Sequence, residues 1–193
     1  MNPYVSFGLA MCAIVLIALV CTAYMAVVFN RRAKADLKTA LTPLAAIIDG
    51  DIDLVEASAS GRYQGHIAEG RVANSSDGPG RVFLTSITDG AGGAAWSYTV
   101  SRPKAPDAPI ETSSNGFINE SASSLEATVR DGAAHLLTAP GWLRIAYDPV
   151  PGHVQLTRPM ATRRDLPPAE SFQLQLDALV RVAAANRAVQ QPE

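Results

Sequence analysis

The chain is poor in the residues that most often carry chemistry in one linear motif. Of its 193 residues, two are cysteine and three are histidine, and aromatics make up 6%. Cys12 and Cys21 both lie in one apolar run near the N-terminus. The remainder of the chain therefore has no disulfide, no thiolate nucleophile and no cysteine metal site. Neither cysteine fits a lipoprotein cleavage site, because Met11 and Val20 stand where a small residue is required. His66, His135 and His153 are scattered, with no ligand spacing such as H-x-x-x-H. No serine is framed by a nucleophile-elbow pattern. Lysine is scarce too, 3 against 13 arginines, while alanine is abundant. That bias is the coding signature of a GC-rich genome and points to a bacterial source. A formal net charge of −2 leaves no global field to recruit nucleic acid.

What the chain does have is a long hydrophobic run. From Phe7 to Phe29 there is no charged residue and no proline. As a helix this run is roughly 35 Å long, enough to cross about 30 Å of hydrocarbon with some tilt. A secretory signal needs basic residues ahead of a shorter apolar stretch, and residues 1–6 carry neither Lys nor Arg. A short tail and a transmembrane anchor are thus expected over 1–30. Arg31, Arg32, Lys34 and Lys38 follow directly, and cytoplasmic flanks collect Lys and Arg. The expected location is an inner membrane crossed once, with the N-terminus outside and the C-terminal domain in the cytoplasm. Within the anchor, Ser6, Ala10, Ala18, Thr22 and Ala26 recur at multiples of four. Small residues at this spacing let two helix backbones approach closely. A four-residue step drifts about 40° per repeat, so Ala18, Thr22 and Ala26 alone share a narrow face. They are the candidate interface for self-association or for a membrane protein partner.

Residues 31–50 read as a juxtamembrane helix with Leu37, Leu41, Leu44 and Ile48 on one face. Pro43 is expected to kink it or to restart it behind Thr42 as cap, and Gly50 to stop it. Residues 51–189 read as an α+β domain, with a frayed tail at 190–193. Strands are expected over 62–73, with Tyr63 and Ile67 on one face, over 81–88, and from Trp96 through Tyr98 and Val100. The run Ser75–Gly80 is turn-rich, and these three strands are expected to form an antiparallel meander. A loop follows, marked by Pro103, Pro106 and Pro109, reaching about Asn115. A helix over 120–138 would bury Leu125, Val129, Ala133 and Leu136. Leu143, Ile145 and Tyr147 alternate, as do Val154 and Leu156 across a Pro-Gly turn, which predicts a hairpin. Pro167-Pro168 opens a last helix with Phe172, Leu176, Leu179 and Ala183 buried. The fold class is α+β: one N-terminal transmembrane helix, then an antiparallel sheet of about five strands packed by about three helices.

Few constellations offer chemistry. Asp49, Asp51 and Asp53 form the densest acidic cluster and are the candidate metal ligands, since alternating aspartates can hold Ca²⁺ or Mg²⁺-phosphate. They do not make an EF-hand, whose sixth position would be Leu54 and whose twelfth would be Ser60. Gly90, Gly92 and Gly93 lack the Lys and the following helix of a phosphate-binding loop and read as a hairpin turn. Asp131 and His135, four apart, read as an exposed ion pair on a helix. Trp96, Tyr98 and Trp142 with Arg81, Arg102 and Arg144 could make a stacking surface, but the acidic balance argues for core aromatics instead. These readings assign no catalytic residue and no cofactor. The expected function is a membrane-anchored, non-enzymatic accessory or interaction domain within, or docking to, a membrane protein complex. Its partners are the lipid bilayer and a membrane protein, not nucleic acid. The alternative is a metal-assisted enzyme or ligand-binding domain acting on a lipid or nucleotide near the membrane, built on Asp49, Asp51 and Asp53.

Overall fold

The computed structural model describes residues 3–75, 80–90, 92–105, 108–117, 122–137, 139–162 and 165–190. Along them run helix α1 (Pro3–Ile47), strands β1 (Asp51–Asp53), β2 (Ser58–Tyr63), β3 (His66–Asn74), β4 (Arg81–Thr88), β5 (Trp96–Arg102) and β6 (Glu111–Asn115), helix α2 (Ala122–Leu136), strands β7 (Gly141–Asp148) and β8 (His153–Met160), and helix α3 (Ala169–Gln190). The expected starts and ends of loops and helices at 76–79, Pro106, Glu120, Thr138 and 191–193 lie outside the described residues, as do the side chains of Ser6 and Ala10.

The chain divides into two compact units, Met1–Thr39 and Ala40–Glu193. In the first, α1 is long and apolar enough to cross a membrane. Its large apolar side chains, among them Phe7, Ile14, Ile17 and Val20, are exposed, so no protein core explains its composition. The helix is continuous through Pro43, where a kink or restart was one expectation. It ends in a Schellman arrangement: Asp49 takes φ 45° and Gly50 N–H donates to Ala45 O at 3.0 Å. In the second unit, Leu41 and Leu44 of its last turns, and Ile48 just after them, are completely buried.

The α+β class holds, but the sheet has eight strands and not about five. Its order is β1-β2-β3-β4-β8-β7-β5-β6, antiparallel throughout. The single strand expected over 62–73 is a hairpin, because Gln64 and Gly65 both take positive φ, 48° and 86°, and turn the chain in two residues. Tyr63 and Ile67 consequently fall on opposite faces. The acidic segment Asp51–Asp53 pairs with β2, and the end of the expected loop, Glu111–Asn115, pairs with β5. The meander is also corrected. It runs through β1–β4 only, since the β7–β8 hairpin lies between β4 and β5. Gly90, Gly92 and Gly93 therefore belong to a crossover spanning three interstrand steps, about 14 Å, and not to a hairpin turn.

Both α2 and α3 lie on one face of this sheet and touch each other. Alternation sends Phe83, Thr85 and Ile87 from β4, Trp96, Tyr98 and Val100 from β5, and Leu143, Ile145 and Tyr147 from β7 to that face. From α3 come Phe172, Leu176, Leu179 and Ala183, all fully buried as their spacing predicts. The stripe of α2 closes on Leu137 and not Leu136. Gly70 fixes how α3 sits: a Cβ there would come 2.9 Å from Phe172 Cε2. The bare backbone lets the Phe172 ring seat edge-on to Phe83, with centroids 6.1 Å apart.

Candidate functional site

The two faces of the sheet differ in how they hold polar groups. Under the helices, a set of buried polar side chains is paired. Thr85 Oγ1 donates to Gln175 Oε1 at 2.7 Å. Trp96 Nε1 donates to Asn186 Oδ1 at 2.9 Å, and Asn186 Nδ2 donates to Asp89 Oδ2 at 2.7 Å. Asp89 Oδ1 lies 3.1 Å from Arg187 Nε in an ion pair whose alignment is too poor for a hydrogen bond. Burial raises the Asp89 carboxyl above its ordinary range, opposed by the Asn186 hydrogen bond and by the charges of Arg187 and His66. Burial likewise raises the Tyr147 phenol, with Asp89 and Asp148 adding to it. At the sheet edge, Tyr63 Oη donates to Asp177 at 2.7 Å. These contacts fasten α3 to β2, β4 and β5, and their chemistry is closed on itself.

The other face carries no helix. It holds a hollow of about 850 Å³ that reaches from β3 across β4, β8 and β7 to β5. Register orders its side chains in rungs. One runs Arg71, Leu84, Thr157, Arg144, and the next runs Glu69, Ser86, Gln155, Ala146, Ser97. His153 opposite Asp148 closes one end, and Trp142 stands at the other. Val82, Leu84 and Ala146 give the floor an apolar component. Among the described residues, the side chains of Glu69, Arg71, Arg144, His153, Gln155 and Thr157 make no hydrogen bond or ion pair. The Nε of Arg144 is shut off from solvent without a hydrogen-bond partner. Such an orphaned donor costs about 1–3 kcal/mol, and a buried polar atom left this way calls for an explanation. A preformed hollow of this size, part apolar with a few converging polar groups, is the form small-molecule sites take.

The residues singled out from sequence are distributed as follows. Asp51 and Asp53 point to the same side of edge strand β1 and are exposed. Asp53 Oδ1 accepts from the Val55 and Glu56 amides at 2.7 and 3.2 Å, and Asp49 ends α1, so each has a local backbone role. No group of three or more His, Cys, Asp or Glu able to hold a metal occurs among the described residues. His66 Nδ1 lies 2.9 Å from Thr88 O, which makes it the protonated nitrogen. Asp131 pairs with Arg130 at 3.9 Å, both well exposed, instead of with His135. Of the aromatic and arginine set, Trp96 and Tyr98 are core residues, while Trp142 and Arg144 stand together in the hollow. Ala18, Thr22 and Ala26 are exposed on α1, and the Thr22 hydroxyl donates to Ala18 O at 2.8 Å, leaving it as an acceptor only.

Sequence reading passed over Glu69, Arg71, Gln155 and Thr157. Each is a polar residue at the alternate position of a strand whose other positions are apolar, a pattern shared by any solvated sheet face. The signal that distinguishes them is Arg144 and Trp142, two apart on one strand and hence on one face. Comparison of the chain with protein-family models, with curated proteins and with solved structures returns no match.

Proposed function

We propose that the protein is a membrane-tethered, non-enzymatic binding domain whose recognition surface is the helix-free face of its sheet. The observation that carries this reading is the hollow on the open face: among the described residues the side chains of Glu69, Arg71, Arg144, His153, Gln155 and Thr157 make no hydrogen bond or ion pair there, and Arg144 Nε is buried without a partner. Unpaired side chains that converge on one hollow are available to a bound group. The hollow's volume supports the ligand-binding part of the alternative reading; no observation favours its metal-assisted part. Arg31, Arg32, Lys34 and Lys38, following the apolar run, support a cytoplasmic position for the domain at an inner membrane. From there it would serve a membrane protein complex by holding a ligand or docking a partner.

The test uses the full chain in membranes with a photo-cross-linking amino acid at Gln155 or Thr157, in the hollow, or at Leu174, exposed on α3. Adducts of one defined mass from the first two positions and none from Leu174 are expected. The same adducts from all three positions, or none from any, would show that this face is not the working surface.

A further inference from the structure

We infer that the hollow binds a small organic anion, a carboxylate or phosphate on an apolar body, with its acid group on Arg144 and its body against Trp142; this rests on the proposed role of the open face. Three observations converge on that chemistry. The first is the orphaned Arg144 Nε. A guanidinium offers paired N–H groups along one edge, and a carboxylate or phosphate is the partner that takes two at once. A small swing of the side chain toward such a group would give Nε the acceptor it lacks.

The second is the electrostatic setting of Arg144. By register its neighbours are Thr157 and Thr99 across the strands, and Trp142 and Ala146 along β7 on the same face. None is acidic. The two acids lining the hollow stand apart from it. Asp148 is four residues along β7, about 13 Å away, and its carboxylate already accepts from Val150 N–H at 3.0 Å. Glu69 lies on the next rung, three strands off. Arg71, at the far end of the Arg144 rung, is the second arginine of the hollow; Glu69 stands two residues along β3 on the same face, and neither makes an ion pair among the described residues.

The third is composition. An inorganic anion would need only the arginines, yet Leu84, Val82, Ala146 and the Trp142 ring extend the floor away from Arg144. That surface suits a ligand whose remainder is apolar or aromatic, with Gln155 and Thr157 reading polar groups on it.

The experiment uses the full chain in phosphatidylcholine nanodiscs. Phenyl phosphate and phenylacetate are titrated against benzyl alcohol and benzylamine, and tryptophan fluorescence is followed. Both Trp96 and Trp142 line the hollow, but Trp96 is only 4% exposed; the response expected from a ligand on Trp142 is therefore the part that is lost in Trp142→Phe. Both anions should bind, and Arg144→Gln should weaken them at least tenfold. Arg71→Gln, at an exposed position where folding is not at stake, should weaken them about threefold. Dihexanoyl phosphatidic acid tells the source: binding tighter than phenyl phosphate marks a lipid headgroup, weaker binding marks a soluble metabolite, and both support an anion site. Equal binding of the alcohol or the amine, anion affinity unchanged in both arginine variants, or no binding by any probe would overturn the inference. Cross-linking from Gln155 and Thr157 is read independently, so a failed anion titration leaves the open-face reading to its own test.

Discussion

Asn186 is the residue whose loss should be felt most among the polar groups. It is fully buried, accepts from the Trp96 indole and donates to the Asp89 carboxylate, so it ties β5 and the end of β4 to the last turns of α3. In Asn186→Ala, the indole N–H would be left without a partner, at about 1–3 kcal/mol, and the carboxylate would lose a charged hydrogen bond of about 1.5–3 kcal/mol. The two terms share one site and do not simply add. A total of about 3–5 kcal/mol follows, in the upper range for single substitutions.

The pH dependence makes this specific. Asp89 has its pKa raised in the folded chain, so folding binds its proton more tightly. The stability it contributes is therefore present in full below its unfolded pKa, near 3.8, and is lost as pH rises through the folded pKa. Asn186 is one of the groups that limit the rise, with Arg187 and His66. Removing it should push the carboxyl higher still and make the variant's deficit greatest at neutral pH. Urea unfolding of the full chain in nonionic detergent, followed by near-UV circular dichroism of Trp96 at pH 7 and near pH 4, measures both quantities. The deficit should shrink toward the indole contribution, about 1–3 kcal/mol, at the lower pH. A loss under 1 kcal/mol at pH 7, or one independent of pH, would refute the network.

Three further outcomes are expected. Leu176→Ala, at a fully buried position on α3, should cost about 2–5 kcal/mol in the same unfolding assay. Gly132→Ala should instead stabilise by about 0.5–1 kcal/mol, because the new methyl meets only Ala178 Cβ, at 3.8 Å, and α2 loses its helix-weakening glycine. A reporter active only outside the cytoplasm, fused after Glu193, should stay silent if the basic cluster after the anchor orients the chain; a strong signal would reverse the topology.

The elements with a one-sided apolar rhythm were legible in the sequence. Strands β4, β5, β7 and β8 and the stripe of α3 fall where alternation and helical spacing place them, since burial on one face imposes the period. Strands β1 and β6 were not legible, and for one physical reason. They lie toward the edges of the sheet, where Asp51–Asp53 and Glu111–Asn115 pair through backbone groups while their side chains stay largely exposed. An edge strand owes its existence to its neighbour's hydrogen bonds, and these leave no mark on hydropathy. The Gln64-Gly65 turn was missed because Gln is not a usual occupant of a left-handed position.

The two polar systems differed in legibility for a related cause. Gln175 and Asn186 stand on the same helical stripe as Phe172, Leu176, Leu179 and Ala183, so a polar residue in an apolar period was a readable sign of a buried hydrogen bond. The hollow carries no such sign. Its polar residues occupy positions that a solvated face would also fill with Arg, Glu, Gln and Thr, and only the register of β3, β4, β8 and β7 brings them onto adjoining rungs. The pairing of β4 with β8 joins residues as far apart in the chain as Leu84 and Thr157, beyond the reach of any local period. A site assembled from alternate positions of four strands is therefore invisible one strand at a time. What separates it from an ordinary wet surface is the three-dimensional fact that Arg144 Nε is buried there with nothing to donate to.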